Sequence, residues 1–215
     1  MNNFPRYTRR PLLFFALALF AALPVVPGPA RAGDAAQAFV QSLSDRATQI
    51  LQDKSLDKDG RFEAFRVMIL NNTDIDRIGD FAIGRYAQAM RDAGKYDDYK
   101  RLFRDYVVRI YASRLSNGTG QSLRIIRSAP LGKTDTLVFC MLDPPKGNPG
   151  NPLAVNWRLT TDSANDYKIK DVQIAGAWMA IEQQSQFQSI ISNNKRNPVS
   201  LIDYLEQKLK EPLAN

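Results

Sequence analysis

The chain has 215 residues, with 29 Lys and Arg against 22 Asp and Glu, a formal net charge of +7, no His and one Cys. Without His it has no Ser-His-Asp triad, no Cys-His dyad and no His-bound metal. One Cys excludes an internal disulfide, a CxxC redox pair and a Cys-based zinc site, which leaves the basic balance as the number to explain.

The N-terminus reads as a secretory leader. Arg6, Arg9 and Arg10 precede twelve apolar residues, Leu12 to Leu23. Pro24, Pro27 and Pro29 follow, then Ala30-Arg31-Ala32, an A-x-A cleavage pattern. The competing reading is an uncleaved anchor, but twelve helical residues rise only ~18 Å against a ~30 Å hydrocarbon core. Cleavage after about Ala32 makes residues 1–32 a leader and residues 33–215 a single domain exported to the periplasm. The leader takes Arg6, Arg9, Arg10 and Arg31 with it and no acid, leaving 25 basic against 22 acidic residues, a net of +3. No run of four Lys or Arg occurs, so nucleic acid is not an expected partner.

The domain divides into a helical half and a strand half. Asp34 to Asp53 carries Ala36, Phe39, Val40, Leu43, Ala47, Ile50 and Leu51 at three- and four-residue steps, an amphipathic helix. Leu56 to Gly60 breaks it, and Arg61 to Leu70 forms a second helix with Phe62, Phe65, Met68 and Ile69 on one face. Thr73 or Asp74 caps a third, Ile75 to Ala93, with Gly79 and Gly84 as points where it can break. Asp97 to Leu115 is the longest helix, its Tyr99, Phe103, Val107 and Tyr111 four residues apart, and Asn117-Gly118 ends it. From Gln121 the period changes to two. Ser122–Arg127, Thr136–Leu142, Ala154–Thr160 and Tyr167–Ala175 read as strands in an antiparallel meander. The second is apolar on both faces, which predicts cover on both sides. Helices return near Ile181–Ser192 and Ser200–Lys210. The predicted fold is α+β, with helices on one face of a curved, mainly antiparallel sheet of four to five strands.

The candidate chemical groups have plain structural explanations. The acid pairs Asp57/Asp59, Asp74/Asp76 and Asp97/Asp98 lie at turns and helix starts, where carboxylates cap or meet the helix dipole. There is no EF-hand spacing, G-x-S-x-G, P-loop, G-x-G-x-x-G or S-x-x-K. Cys140 sits inside an apolar strand, where a thiol stays protonated. The ten-residue loop Asp143–Pro152 reads as a rigid turn or as a docking loop. What remains is a wealth of aromatic and aliphatic residues on the helices, which fits a filled core or a ligand cavity. The residues alone support an exported α+β domain without the marks of a typical enzyme.

The chain resembles the MlaC family of periplasmic phospholipid-binding proteins, also called toluene-tolerance proteins, over most of residues 35–210. The resemblance rests on Ile75-Asp76-Arg77-Ile78 and Ile83-Gly84-Arg85-Tyr86, then on the spaced Tyr99, Phe103, Val107, Tyr111 and Leu115. Further on it rests on Tyr167, Ile169, Asp171-Val172, Ile174 and Gly176, and on Ser185-Gln186-Phe187 with Ile190-Ile191. Two positions depart from the family pattern: Gln183-Gln184 stands in place of Tyr-Arg, and Ala87 in place of Trp.

The resemblance implies a non-enzymatic carrier with no cofactor and no metal. It would shuttle phospholipid between an inner-membrane ABC transport complex and an outer-membrane lipoprotein complex, and so maintain outer-membrane lipid asymmetry. A hopanoid or other non-phospholipid cargo, linked to one branch of the family, is the alternative, as is an interaction or chaperone module. For the lipid reading, the expected lining is Phe65, Ile69, Phe81, Tyr86, Phe103, Val107, Val155 and Trp157, with Arg85 at the head group.

Overall fold

The computed structural model describes residues 32–116, 120–147, 150–161 and 166–211. The leader up to Arg31 and the turn at Asn117-Gly118 lie outside them. Helix α1 (Ala32–Gln52) is followed by α2 (Lys58–Asn72), α3 (Ile75–Ile83), a 3₁₀ turn at Gly84–Tyr86, α4 (Ala87–Asp92) and α5 (Tyr96–Ser116). Strands β1 (Ser122–Leu131), β2 (Asp135–Asp143), β3 (Leu153–Thr161), β4 (Tyr167–Ile174) and β5 (Ala177–Trp178) then form one antiparallel sheet in chain order. Helices α6 (Met179–Asn193) and α7 (Ser200–Lys210) close the fold.

Local chemistry explains the boundaries. Asp57 caps α2 by accepting from the Gly60 N–H at 2.7 Å. The third predicted helix breaks at Gly84, whose φ of 54° and ψ of −129° suit only a residue without a side chain. Gly79 does not break it. There the missing side chain lets the Phe103 ring approach, while the Gly79 carbonyl accepts from the Tyr99 hydroxyl at 2.6 Å. Asp74 begins α3 without a side-chain cap, its carboxylate pairing with Arg77 instead. Strand β1 runs beyond the predicted end at Arg127 and through Pro130, a residue that an edge strand tolerates.

The helices meet the sheet on one face. The Val138 and Cys140 side chains of β2 are covered by Ala36 and Val40 of α1. The opposite face corrects the two-sided cover predicted for β2. Leu137, Phe139 and Met141 are only half-buried, and it is the Arg127 guanidinium that lies over the Phe139 ring, at 3.8 Å. The aromatic stripe of α5 also departs from expectation. Tyr99, Phe103 and Tyr106 pack mainly against Phe187 of α6 and Leu205 of α7, so the largest core lies between helices. Three separate clusters result: this helical core, the α1–sheet cluster, and a small one around Ile50 and Phe65 between α1 and α2.

Candidate lipid-binding cavity

Between the three clusters lies a cavity of about 800 Å³, towards the upper end of the ~300–1,000 Å³ typical of small-molecule sites. Each wall has a local cause. Leu43, Ser44, Ala47, Thr48 and Leu51 follow the helical period along α1, and three of the five are small. Met68, Ile69, Asn72 and Thr73 line it from the end of α2. That end is fixed to the sheet: Thr73 bridges Ile169 in parallel, Asp74 N–H donates to the Ile169 carbonyl at 2.9 Å, and Lys168 reaches the Asn71 carbonyl at 2.7 Å. Helix α5 contributes Phe103, Tyr106, Val107, Ile110 and Tyr111. The sheet contributes Leu123, Leu142, Leu153, Val155, Trp157, Ile169, Val172 and Ile174, one face of four strands.

The polar groups of the wall are few and mostly engaged. Asp171 Oδ1 accepts from Val172 N–H at 2.8 Å and from Ala180 N–H at 3.0 Å, so the strand residue holds the start of α6. Burial raises its carboxyl above the usual range, against those two hydrogen bonds. Gln183 Nε2 donates to Gln186 Oε1, and Gln186 Nε2 to the Tyr204 hydroxyl, at 3.0 and 2.7 Å. Burial likewise pushes the Tyr106 phenol up. The Cys140 thiol, pushed up to about 11 by burial, faces the α1–sheet cluster and stays protonated. The Trp157 Nε1–H is buried without a hydrogen-bond partner among the described residues. Among the described residues there is no group of three or more His, Cys, Asp or Glu able to hold a metal ion. No described helix is long and apolar enough to cross a membrane.

Of the residues expected at a lipid site, the structure brings Ile69, Phe103, Val107, Val155 and Trp157 together on the cavity wall. The other four lie elsewhere. Phe65 is 2% exposed inside the small α1–α2 cluster. Phe81 is 45% exposed on α3. Tyr86 is packed into the helical core beyond the Gly84 turn. Arg85 is exposed on that turn, its Nη2 donating to the Tyr86 hydroxyl at 3.2 Å and its guanidinium 5.0 Å from that ring. Phe81 precedes the break and faces solvent on α3 itself, while the turn at Gly84 redirects the segment that carries Arg85 and Tyr86.

Sequence reasoning missed the contributions of α1 and α6. On α1 the signal was present: Leu43, Ala47 and Leu51 are part of its apolar stripe, but the stripe serves two surfaces, with Ala36 and Val40 on the sheet. On α6 the wall residues Met179 and Ala180 are apolar but lie before the predicted helix start, and Glu182, Gln183 and Gln186 are polar, so hydropathy gives no sign of them.

No curated protein is significantly similar to the chain in sequence. Among solved structures it is similar to a phospholipid-binding protein from Ralstonia solanacearum, determined in complex with a phospholipid. The two are 25% identical with a TM-score of 0.65, over 81% of this chain and 96% of the other. The family profile described as MlaC protein matches residues 41–207, from the middle of α1 to the last turn of α7, and the chain belongs to the MlaC family.

Proposed function

We propose that the protein carries phospholipid, with its acyl tails in the cavity between the helical layer and the sheet. The observation that carries this reading is the cavity's size together with its apolar wall. An apolar wall of this extent left facing water forfeits the contacts that close packing would give it, and apolar matter in the cavity restores them. A diacyl lipid has the complementary problem, since its ~30 methylenes cost ~24 kcal/mol in water at ~0.8 kcal/mol each. The phospholipid bound to the Ralstonia relative supports the same cargo here.

A carrier works by near-equality. A cavity that matches the bilayer's stabilisation of the tails lets cargo load and unload, whereas much tighter binding would trap it. This function asks for no nucleophile, acid–base pair or metal. The A-x-A site after the apolar leader supports export to the periplasm. There the carrier would pass lipid between an inner-membrane ABC complex and an outer-membrane lipoprotein complex.

The full chain, expressed in a Gram-negative host, should appear in the osmotic-shock fraction with a mature N-terminus near Gly33. Lipid extraction and mass spectrometry of the purified protein should return phospholipid in near-stoichiometric amount. Val107→Trp, which places an indole in the cavity, should lower that load severalfold while the far-ultraviolet circular dichroism stays unchanged. A protein purified without lipid, whose load no lining substitution alters, would overturn the reading.

A further inference from the structure

The cavity has an identifiable wet end. Of its wall residues, Thr48, Gln121, Leu153, Glu182 and Gln186 are exposed. The last four converge. In the antiparallel order β1-β2-β3-β4, the start of β1, the start of β3 and the end of β4 share one edge of the sheet. The β5 hairpin returns the chain to α6 at that same edge. A lipid whose tails fill the apolar interior therefore holds its head group near this rim.

The charged groups of the wall, among the described residues, are Asp171 and Glu182, both acidic. Asp171 is committed to the start of α6 through its two backbone hydrogen bonds. Glu182 is exposed, in the first turn of α6, and no hydrogen bond or ion pair ties it to another described residue. The Gln183 and Gln186 amides beside it are paired in a neutral chain that ends on Tyr204.

We infer that Glu182 is a specificity-determining residue that favours lipids with a cationic group on the head, such as phosphatidylethanolamine, over net-anionic lipids such as phosphatidylglycerol. The inference rests on the carrier reading above. An ammonium group on the head meets the Glu182 carboxylate as an opposite charge; a phosphoglycerol head has only negative charge to bring near it. Both partners are solvated and screened by salt, so the preference is a ~two- to fivefold bias rather than exclusion. First-turn placement alone would make Glu182 a complement to the helix dipole. That role affects stability and total load but not the ratio of the two lipids.

The test uses the purified mature protein, stripped of lipid and incubated with vesicles of equimolar phosphatidylethanolamine and phosphatidylglycerol. Bound lipid is extracted and quantified. The wild type should load phosphatidylethanolamine ~two- to fivefold over phosphatidylglycerol. Glu182→Gln should return the vesicle ratio, and Glu182→Lys should invert it. Equal ratios in the wild type and both variants, with loading intact, would overturn the inference and leave the carrier reading standing. Failure of the wild type to load either lipid would overturn both. Glu182→Gln, which keeps the side chain's size, carries the test where the Lys variant folds poorly.

Discussion

The helical wall and the α1–α2 hairpin face the same cavity but are built differently. On the helical side Phe187 is fully buried and its ring stands 6.1–6.4 Å from those of Tyr99, Phe103, Tyr106 and Tyr204. Helix α3 is tied to α5 by Arg104, whose Nε and Nη2 donate to the two Asp76 oxygens at 2.9 and 2.7 Å. The hairpin has only Ile50 and Phe65 fully inside its own cluster. Its ends are fixed, by Ala36 and Val40 on the sheet at one side and by the Thr73–Ile169 bridge at the other. Between those ties α2 packs on α5, with Leu70 against the helical core, and α1 and α2 pack on each other around Ile50 and Phe65. One wall is a scaffold. The other has the smaller buried cluster of its own, and is therefore the side of the enclosure expected to open at least cost.

The sharpest way to break this contrast is to remove the same side chain from each region. Phe187→Ala should cost ~3–5 kcal/mol, since it leaves a hole among four rings that hold their positions. Phe65→Ala should cost less, ~2–3 kcal/mol, although Phe65 is also nearly inaccessible, because a small cluster beside a cavity can collapse. Denaturant titration of the lipid-free protein measures both. Equal costs would mean that the hairpin is packed as firmly as the scaffold. A smaller effect is expected from Gly79→Ala. A methyl there would stand 2.9 Å from Phe103 Cδ1 and 3.2 Å from Cε1, and that ring is held by those of Tyr99 and Phe187, 5.8 and 6.1 Å away. Overpacking of this kind costs ~1–3 kcal/mol.

The two regions also differ in how much of them could be read from the sequence. The fold was legible because period and punctuation agree: α7 runs over Ser200–Lys210 as the pattern predicts, and the four long strands fall where the period-two runs lie. The helix break was legible only as a choice between Gly79 and Gly84. Both residues lack a side chain, for different reasons: one accommodates a ring, the other a left-handed backbone. The site was partly legible. Val155 and Trp157 share a strand face by alternation, and Ile69, Phe103 and Val107 lie on apolar helix faces. Periodicity says which side of a helix is apolar, but not whether that side meets a protein core or a cavity. Phe65 and Ile69 lie on one stripe of α2, yet Phe65 packs into the small cluster and Ile69 lines the cavity. Arg85 was out of reach for another reason, since its position depends on the direction the chain takes after Gly84.

The smallest perturbation tests the contrast most directly. Asp57 is the N-cap of α2, with an extended backbone that aims Oδ1 at the Gly60 N–H. Asp57→Ala removes that acceptor and should cost ~1 kcal/mol, the usual value of an N-cap. In native-state hydrogen exchange this is a ~fivefold acceleration of the α2 amides, because ~1.4 kcal/mol corresponds to tenfold. Gly79→Ala supplies the control. Its strain lies between α3 and α5, so it lowers the free energy of global unfolding and accelerates the slowest amides of α5. If the hairpin opens by itself, the native and hairpin-open states both carry that strain. Their difference, and with it the exchange of α2, is then unchanged. If α2 opens only when the whole domain unfolds, Gly79→Ala must accelerate α2 and α5 together. Matched acceleration would make the two walls a single cooperative unit. An α2 that responds to its own cap but not to Gly79 would identify the hairpin as the movable side of the cavity.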